Sequence, residues 1–319
     1  MPTKILDRRQ VLECLPMRDA VEAVEEAFRA FALGEASMPP KVYLPIPEVQ
    51  GDFRAMPARF SRYAGLKWVS SHTRNPRDHG LPAVIAVFVL SDPETALPLA
   101  LMDATALTER RTGAAAAVAS RHLAKAHAKI GFVGCGAQAR SVLEAHRVVF
   151  GDGFEVLAYD KDPAAAEAFA DEAGGRVASL EEASAVDVLN TLTPSRTPIV
   201  EADALLPHTH INAMGADAPG KRELALDVLL SASVYVDDPK QALHSGEVNV
   251  PVRDGVYVEA DLAGTLGEVI AGLVARGEGR TIFDSTGLAI QDVAAAARAF
   301  ERARLQGLGL DVDLLNREI

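Results

Sequence analysis

Several things are scarce in this chain of 319 residues, and each scarcity removes a class of protein. There are two cysteines, Cys14 and Cys135, far apart in sequence, so neither a disulfide framework nor a pair of C-x-x-C metal units can be built from them. A reducing compartment is the simplest reading. No run of about 18 apolar residues occurs, and the opening MPTKILDRRQ is charged with no apolar stretch of leader length. A cytoplasmic protein that neither leaves the cell nor spans a membrane is expected. Positive charge is also thin: Lys and Arg number 32 against 44 Asp and Glu, a net charge of −12, and no basic cluster stands out. Phosphate neutralisation needs such a cluster, so nucleic acid is not an expected partner and a small-molecule substrate fits better. The histidines His72, His79, His208, His210 and His244 show no i, i+4 pairing with a helical acid, so no metal is expected. A G-x-S-x-G elbow and a paired catalytic cysteine are missing too.

What is present is globular: 49% apolar residues, 24% charged, and a length suited to two domains. The first region reads as α+β. A short strand over 4–7 precedes a helix in which Ala20, Val21, Val24, Ala27, Phe28 and Phe31 recur at helical spacing, with Gly34 past its end. Short apolar runs at 42–44, 66–69 and 84–90, broken by Pro and Gly, read as strands. Residues 103–124 are rich in helix formers and read as a bridge between domains. From about 130 to 238 strands and helices alternate, as a doubly wound parallel sheet requires. A last strand at 281–283, a turn at FDSTG and a helix over 289–304 close the chain.

The sharpest motif is IGFVGCGAQA, an apolar strand that ends at glycines and gives way to a helix. Gly134 permits the tight turn, Gly136 lets backbone approach a pyrophosphate, and Ala139 allows close packing of helix on strand. The helix N-terminus then offers free N–H groups and a positive dipole end. Asp160 follows the next strand, where an acid accepts both ribose hydroxyls and repels a 2′-phosphate, so NAD is expected over NADP, with Lys161 leaving some tolerance. Asp160 is alternatively a cap or turn residue ahead of Pro163.

Other candidates carry two readings each. Lys67, in the apolar segment GLKWV beside the one Trp, is either a buried ammonium of lowered pKa or a lysine snorkelling from a strand edge. Asp217, just past the apolar segment INAMGAD, is either a ligand-facing acid or a turn cap. Arg54 and Lys41 are either carboxylate ligands or surface cations.

With these residues in view the chain resembles the ornithine cyclodeaminase and μ-crystallin superfamily over its whole length, and within it the archaeal alanine dehydrogenases. The blocks that carry the resemblance are MPPKVYL, RAMPA, YAGLKWV, MDAT, RTGAA, GCGAQA, TPSR, HINAMGADAPGK and FDSTGLAIQD, in that order. The resemblance implies a homodimer in which a Rossmann doubly wound parallel sheet, the NAD-binding domain at 115–285, is inserted into an α+β substrate and dimerisation domain formed by 1–114 and 286–319. It implies that Lys67 and Asp217 are catalytic, that Arg54, Lys41 and Arg111 bind substrate, and that Arg111, Thr112, Gly134, Gly136, Ala137, Gln138, Asp160, Thr193 and Ser285 bind the cofactor.

The implied reaction is NAD-dependent deamination of an amino acid. Cyclodeaminases of the superfamily tend to carry an acid where this chain has Arg54, and a cation there would repel the side-chain ammonium of ornithine. Alanine and pyruvate are therefore expected. The alternatives are ornithine cyclisation to proline, a ketimine reductase, and a μ-crystallin-like NAD(P)-binding carrier. Arg74, in SHTRNP, stands against a small substrate if it enters the pocket.

Overall fold

Residues 54–58 and 66–69 alternate between covered and more open side chains with a period of two, the pattern of a sheet with one face packed. In the computed structural model, which describes residues 2–315, they lie within a large antiparallel array. The strands are β1 (Thr3–Leu6), β2 (Val42–Ile46), β3 (Gly51–Phe60), β4 (Tyr63–His72), β5 (Val84–Ser91), β6 (Pro98–Asp103), β7 (Lys129–Val133), β8 (Glu155–Tyr159), β9 (Arg176–Val177), β10 (Val188–Thr191), β11 (His210–Ala213), β12 (Ala232–Val236), β13 (Gly264–Thr265), β14 (Arg280–Asp284) and β15 (Leu310–Val312). The fold is α/β, and the chain divides into two compact units. One runs up to Arg111 and resumes at Leu288; the other is Thr112–Gly287. These divisions compare with the expected 114/115 and 285/286, and the first falls inside the helix Ala104–Leu123.

The first unit holds a seven-stranded sheet in the order β15-β1-β6-β5-β4-β3-β2, antiparallel except where β1 runs beside β6. Met56, Ala58, Val69, Ala86, Phe88 and Leu90 point to its covered face. The helix Ala289–Gln306 packs on β3, β4 and β5 and against the helix Met17–Ala32. Its sequence AIQDVAAAARAF suits that place: alanines favour the helix and keep it thin enough to lie close on a sheet. Gly307, at φ 67°, ends it in the left-handed conformation. The opposite face is open and apolar. Val42, Leu44, Leu66, Trp68, Ile85, Val87 and Leu101 are all exposed, and Phe53 stacks on Trp68 with ring centroids 5.2 Å apart.

The second unit is an eight-stranded parallel sheet in the order β13-β12-β14-β11-β10-β7-β8-β9, whose order reverses between β7 and β10. Strands covered on both sides must satisfy any polar group internally, and this sheet does so in one network. Asn212 donates to Ser120 Oγ (2.9 Å) and Asn190 Oδ1 (2.8 Å), Ser120 Oγ meets His146 Nε2 (2.9 Å), and Asn190 donates to the Gly131 carbonyl (3.3 Å). His210 engages Thr281 Oγ1 (2.9 Å) and Asn212 Oδ1 (3.0 Å) with its two ring nitrogens. Burial lowers the pKa of His146 to about 4 and of His210 to about 3, so both are neutral near pH 7. Among the described residues no helix is long and apolar enough to cross a membrane, and no group of three or more His, Cys, Asp or Glu is arranged to hold a metal ion.

Candidate active site

In the first unit the register places Lys67 of β4 between Met56 of β3 and Phe88 of β5, on the face covered by helix 289–306. Its side chain is 1% exposed. Lys67 Nζ lies 2.7 Å from Asp292 Oδ2 and donates to Thr108 Oγ1 at 3.4 Å. Arg111, three residues beyond Thr108 and so on the same helix face, donates from Nε to Asp292 Oδ1 (3.1 Å) and from Nη1 to Gln291 Oε1 (3.2 Å). One buried carboxylate thus serves two cations. Burial lowers the Lys67 pKa to about 7; Asp292 opposes that shift, while the charges of Arg111 and Lys41 add to it. A primary amine in this state is shared between its acid and base forms near neutral pH. The snorkelling reading of Lys67 does not hold.

Trp68 contributes nothing to that burial. Strand alternation sends it to the opposite face, where it is 39% exposed. Arg54 is buried on the same face as Met56, but its fork is turned to Asp52, with Nε to Oδ1 at 2.9 Å and Nη2 to Oδ2 at 3.1 Å, and its guanidinium lies over the Tyr43 ring. The Arg54 charge is therefore accompanied by a carboxylate, and the pair does not repel the side-chain ammonium of ornithine as a lone cation would. Arg74 pairs with Asp78 at 3.1 Å with its side chain 46% exposed, so it is a surface residue in a local ion pair.

In the second unit Gly134 has φ 100°, and a Cβ added there would stand 3.0 Å from the Leu192 carbonyl and Thr193 Cγ2. Gly136 opens the helix Ala137–Phe150 with no side-chain cap and no acid in the first turn, and a Cβ added at Gly136 would meet nothing within 4 Å. Bare N–H groups, a positive helix end and open space are together what a pyrophosphate needs. Gln138 adds a buried Oε1 with no hydrogen-bond partner among the described residues. Asp160 is fixed beside this turn, accepting from Cys135 N (2.8 Å) and Asp162 N (3.0 Å). The helix-capping role falls to Asp162, which accepts from Ala164 N. These residues fit a dinucleotide.

The remaining candidates of this unit follow the carboxyl ends of the strands, where doubly wound sheets present ligands. Thr193 follows β10, Asp217 follows β11 and Ser285 follows β14. Asp217 pairs with Lys221 at 2.5 Å, with 40% of its side chain exposed. Thr112 adjoins Gly113, where an added Cβ would collide with Ser141 in the first turns of helix 137–150. Of the two residues read as catalytic, Lys67 belongs to the first unit and Asp217 to the second.

Sequence reading missed Asp292, Gln291 and Thr108, which complete the surroundings of Lys67. Asp292 carried the same signal as Lys67, a lone charge in an apolar run, here AIQDVAAAA. It is wholly buried.

The parallel sheet with its glycine turn at the switch point and an acid beside it defines a dinucleotide-dependent class of fold. The chain belongs to the ornithine cyclodeaminase/mu-crystallin family, whose model matches residues 1–307. It is 52% identical to an alanine dehydrogenase from Archaeoglobus fulgidus over 97% of this chain and 98% of the relative. Among solved structures it is similar to an archaeal alanine dehydrogenase dimer with bound NAD (TM-score 0.95, 50% identity, 99% of this chain and 100% of that one). It is also similar to the Thermococcus litoralis Delta(1)-pyrroline-2-carboxylate reductase in complex with NADH and L-proline (TM-score 0.91, 33% identity, 97% of this chain and 100% of that one).

Proposed function

We propose that the chain oxidises L-alanine to pyruvate and ammonia with NAD and runs the reverse reductive amination. The observation that carries this reading is Lys67, an amine buried in an apolar sheet face and moved to about 7, which exchanges protons where the reaction needs it. In the reaction a hydride leaves Cα, the amino nitrogen loses a proton as the imine forms, water adds to the imine carbon, and ammonia departs. NAD, when bound, accepts the hydride. Neutral Lys67 takes up the released proton, and Asp292 holds its Nζ in one place while Arg111 braces that carboxylate. Lys41 supplies positive charge for the substrate carboxylate; Arg54, whose fork is held by Asp52, would have to leave that carboxylate to add a second. In the second unit Gly134, Gly136, Ala137 and Gln138 would hold the pyrophosphate and Asp160 the ribose hydroxyls. Thr112, Thr193 and Ser285 would complete the cofactor contacts, and Asp217 would handle a proton on water or ammonia.

The high identity to the Archaeoglobus fulgidus alanine dehydrogenase supports the substrate. Asp52 favours a second reading, ornithine cyclisation, because its charge offsets that of Arg54, which alone would repel a cationic side chain. Two assays decide: NADH formation from L-alanine, and proline formation from L-ornithine with NAD. Activity on alanine is the expected result; proline formation alone would overturn the reading.

We also propose a cytoplasmic homodimer that covers the open apolar face of the first unit with a second copy of the chain. Trp68, Ile85 and Val87 form a contiguous exposed patch there, the surface that soluble monomers rarely leave bare, and the similar archaeal structure is a dimer. Val87→Arg is expected to sediment as a monomer at micromolar concentration, with the wild type a dimer. A monomeric wild type would remove this proposal.

A further inference from the structure

Four buried carboxylates of the second unit take no part in that reaction: Glu223, Glu247, Asp284 and Asp237, none more than 1% exposed. Burying a carboxylate is costly unless donors surround it, so the donors show what each one holds. Asp237 takes the backbone N–H groups of Thr286 and Gly287, each at 2.7 Å. Glu247 takes those of Glu223 (2.7 Å) and Leu224 (3.1 Å). Glu223 takes three donors: Thr193 N on Oε1 (2.6 Å), and Thr191 Oγ1 (2.7 Å) and Gly215 N (2.9 Å) on Oε2.

Those three donors come from different places. Thr191 ends β10 and Thr193 lies in the loop that follows it, while Gly215 lies in the loop after β11, the adjacent parallel strand in which Ala213 is paired with Thr191. A single carboxylate therefore spans the tops of two neighbouring strands. Gly215 is shaped to it, since an added Cβ would collide with Thr193 O and stand 2.5 Å from Glu223 Oε2. Burial pushes the Glu223 carboxyl up, and its bonds to Thr193, Thr191 and Gly215 act in the opposite sense.

We propose that Glu223 is a positioning residue of the nucleotide site, fixing the loop of Thr193 and the loop of Asp217 against each other, with Glu247 bracing the backbone of Glu223 from behind. This rests on the dinucleotide reading given above. A glutamine at 223 keeps the shape but turns an NH2 group towards donors, so at least one of the Thr193 and Gly215 N–H groups loses its acceptor.

The test is NADH affinity, read by fluorescence titration of the full chain as wild type, Glu223→Gln and Gly215→Ala, each repeated in a Thr193→Ala background. Glu223→Gln is expected to weaken NADH binding by about tenfold in the wild-type background and by less than about threefold beside Thr193→Ala, since groups that act through one loop are not additive. Gly215→Ala keeps the carboxylate and is expected to show the same pattern, which serves if Glu223→Gln does not fold. Unchanged affinity in a folded variant, or an equal loss in both backgrounds, would overturn the inference. NADH binding without alanine oxidation overturns the substrate reading alone, and Glu223 is still judged by these affinities. A wild type with no NADH affinity overturns the dinucleotide reading and this inference with it.

Discussion

Lys67→Met is expected to lower kcat for L-alanine oxidation by about 10²- to 10⁴-fold, the usual worth of a positioned acid-base group, while the fold survives. The second half of that expectation follows from charge. Asp292 accepts two cations, and removing Lys67 leaves it with Arg111, a buried pair of zero net charge with its hydrogen bond intact. Methionine has nearly the length of lysine and suits the apolar walls of Met56 and Phe88. One-sided removal of a buried ion pair is costly when it leaves a charge uncompensated, and here Arg111 remains to compensate Asp292. Steady-state rates with saturating alanine and NAD, beside a calorimetric scan, check both halves. A variant that keeps more than about a third of wild-type kcat would remove Lys67 from the chemistry.

The opposite balance is expected for Asp292→Leu. Here the common partner disappears and two cations remain buried side by side. Lys67 escapes by releasing its proton, since its pKa is already about 7 and loses the group that held it up. Arg111 does not have that route, because guanidinium stays charged. Breaking a buried ion pair from one side costs about 3–5 kcal/mol, and in a protein of this size that lowers the melting temperature by on the order of 10 °C. Activity falls as well, because Lys67 loses the contact that holds its Nζ. A melting temperature within about 2 °C of the wild type would show that Asp292 carries no such charge balance.

These contrasts explain which parts of the site were legible in the sequence. Gly134 was legible because its turn requires a conformation that other residues avoid, and Asp160 because its place after the next strand follows from the motif. Lys67 was legible as a charge in an apolar segment, but Trp68 gave the wrong reason for its burial, since neighbours in a strand face opposite sides. Asp292 was not tied to Lys67 because the two are brought together only when helix 289–306 docks on the sheet. Asp52 could have been found: it stands two residues before Arg54 and so on the same face of β3. That strand was itself missed as an element, because in GDFRAMPARF the charges of Asp52, Arg54 and Arg59 and the mid-strand Pro57 break up the apolar residues. Glu223, in KRELALD, has the look of a solvated acid. Only the three donors that converge on it from other strand ends mark it as buried machinery.

The most direct test of the account is the pH dependence of kcat for L-alanine oxidation at saturating NAD. Neutral Lys67 is the active form in this direction, so kcat is expected to rise with pH and level off, with an inflection within about one unit of 7, and Lys67→Met is expected to lose that inflection from its residual rate. An inflection that persists in the variant, or one in the wild type near the ordinary lysine value of 10.5, would contradict the assignment of Lys67 as the buried acid-base group.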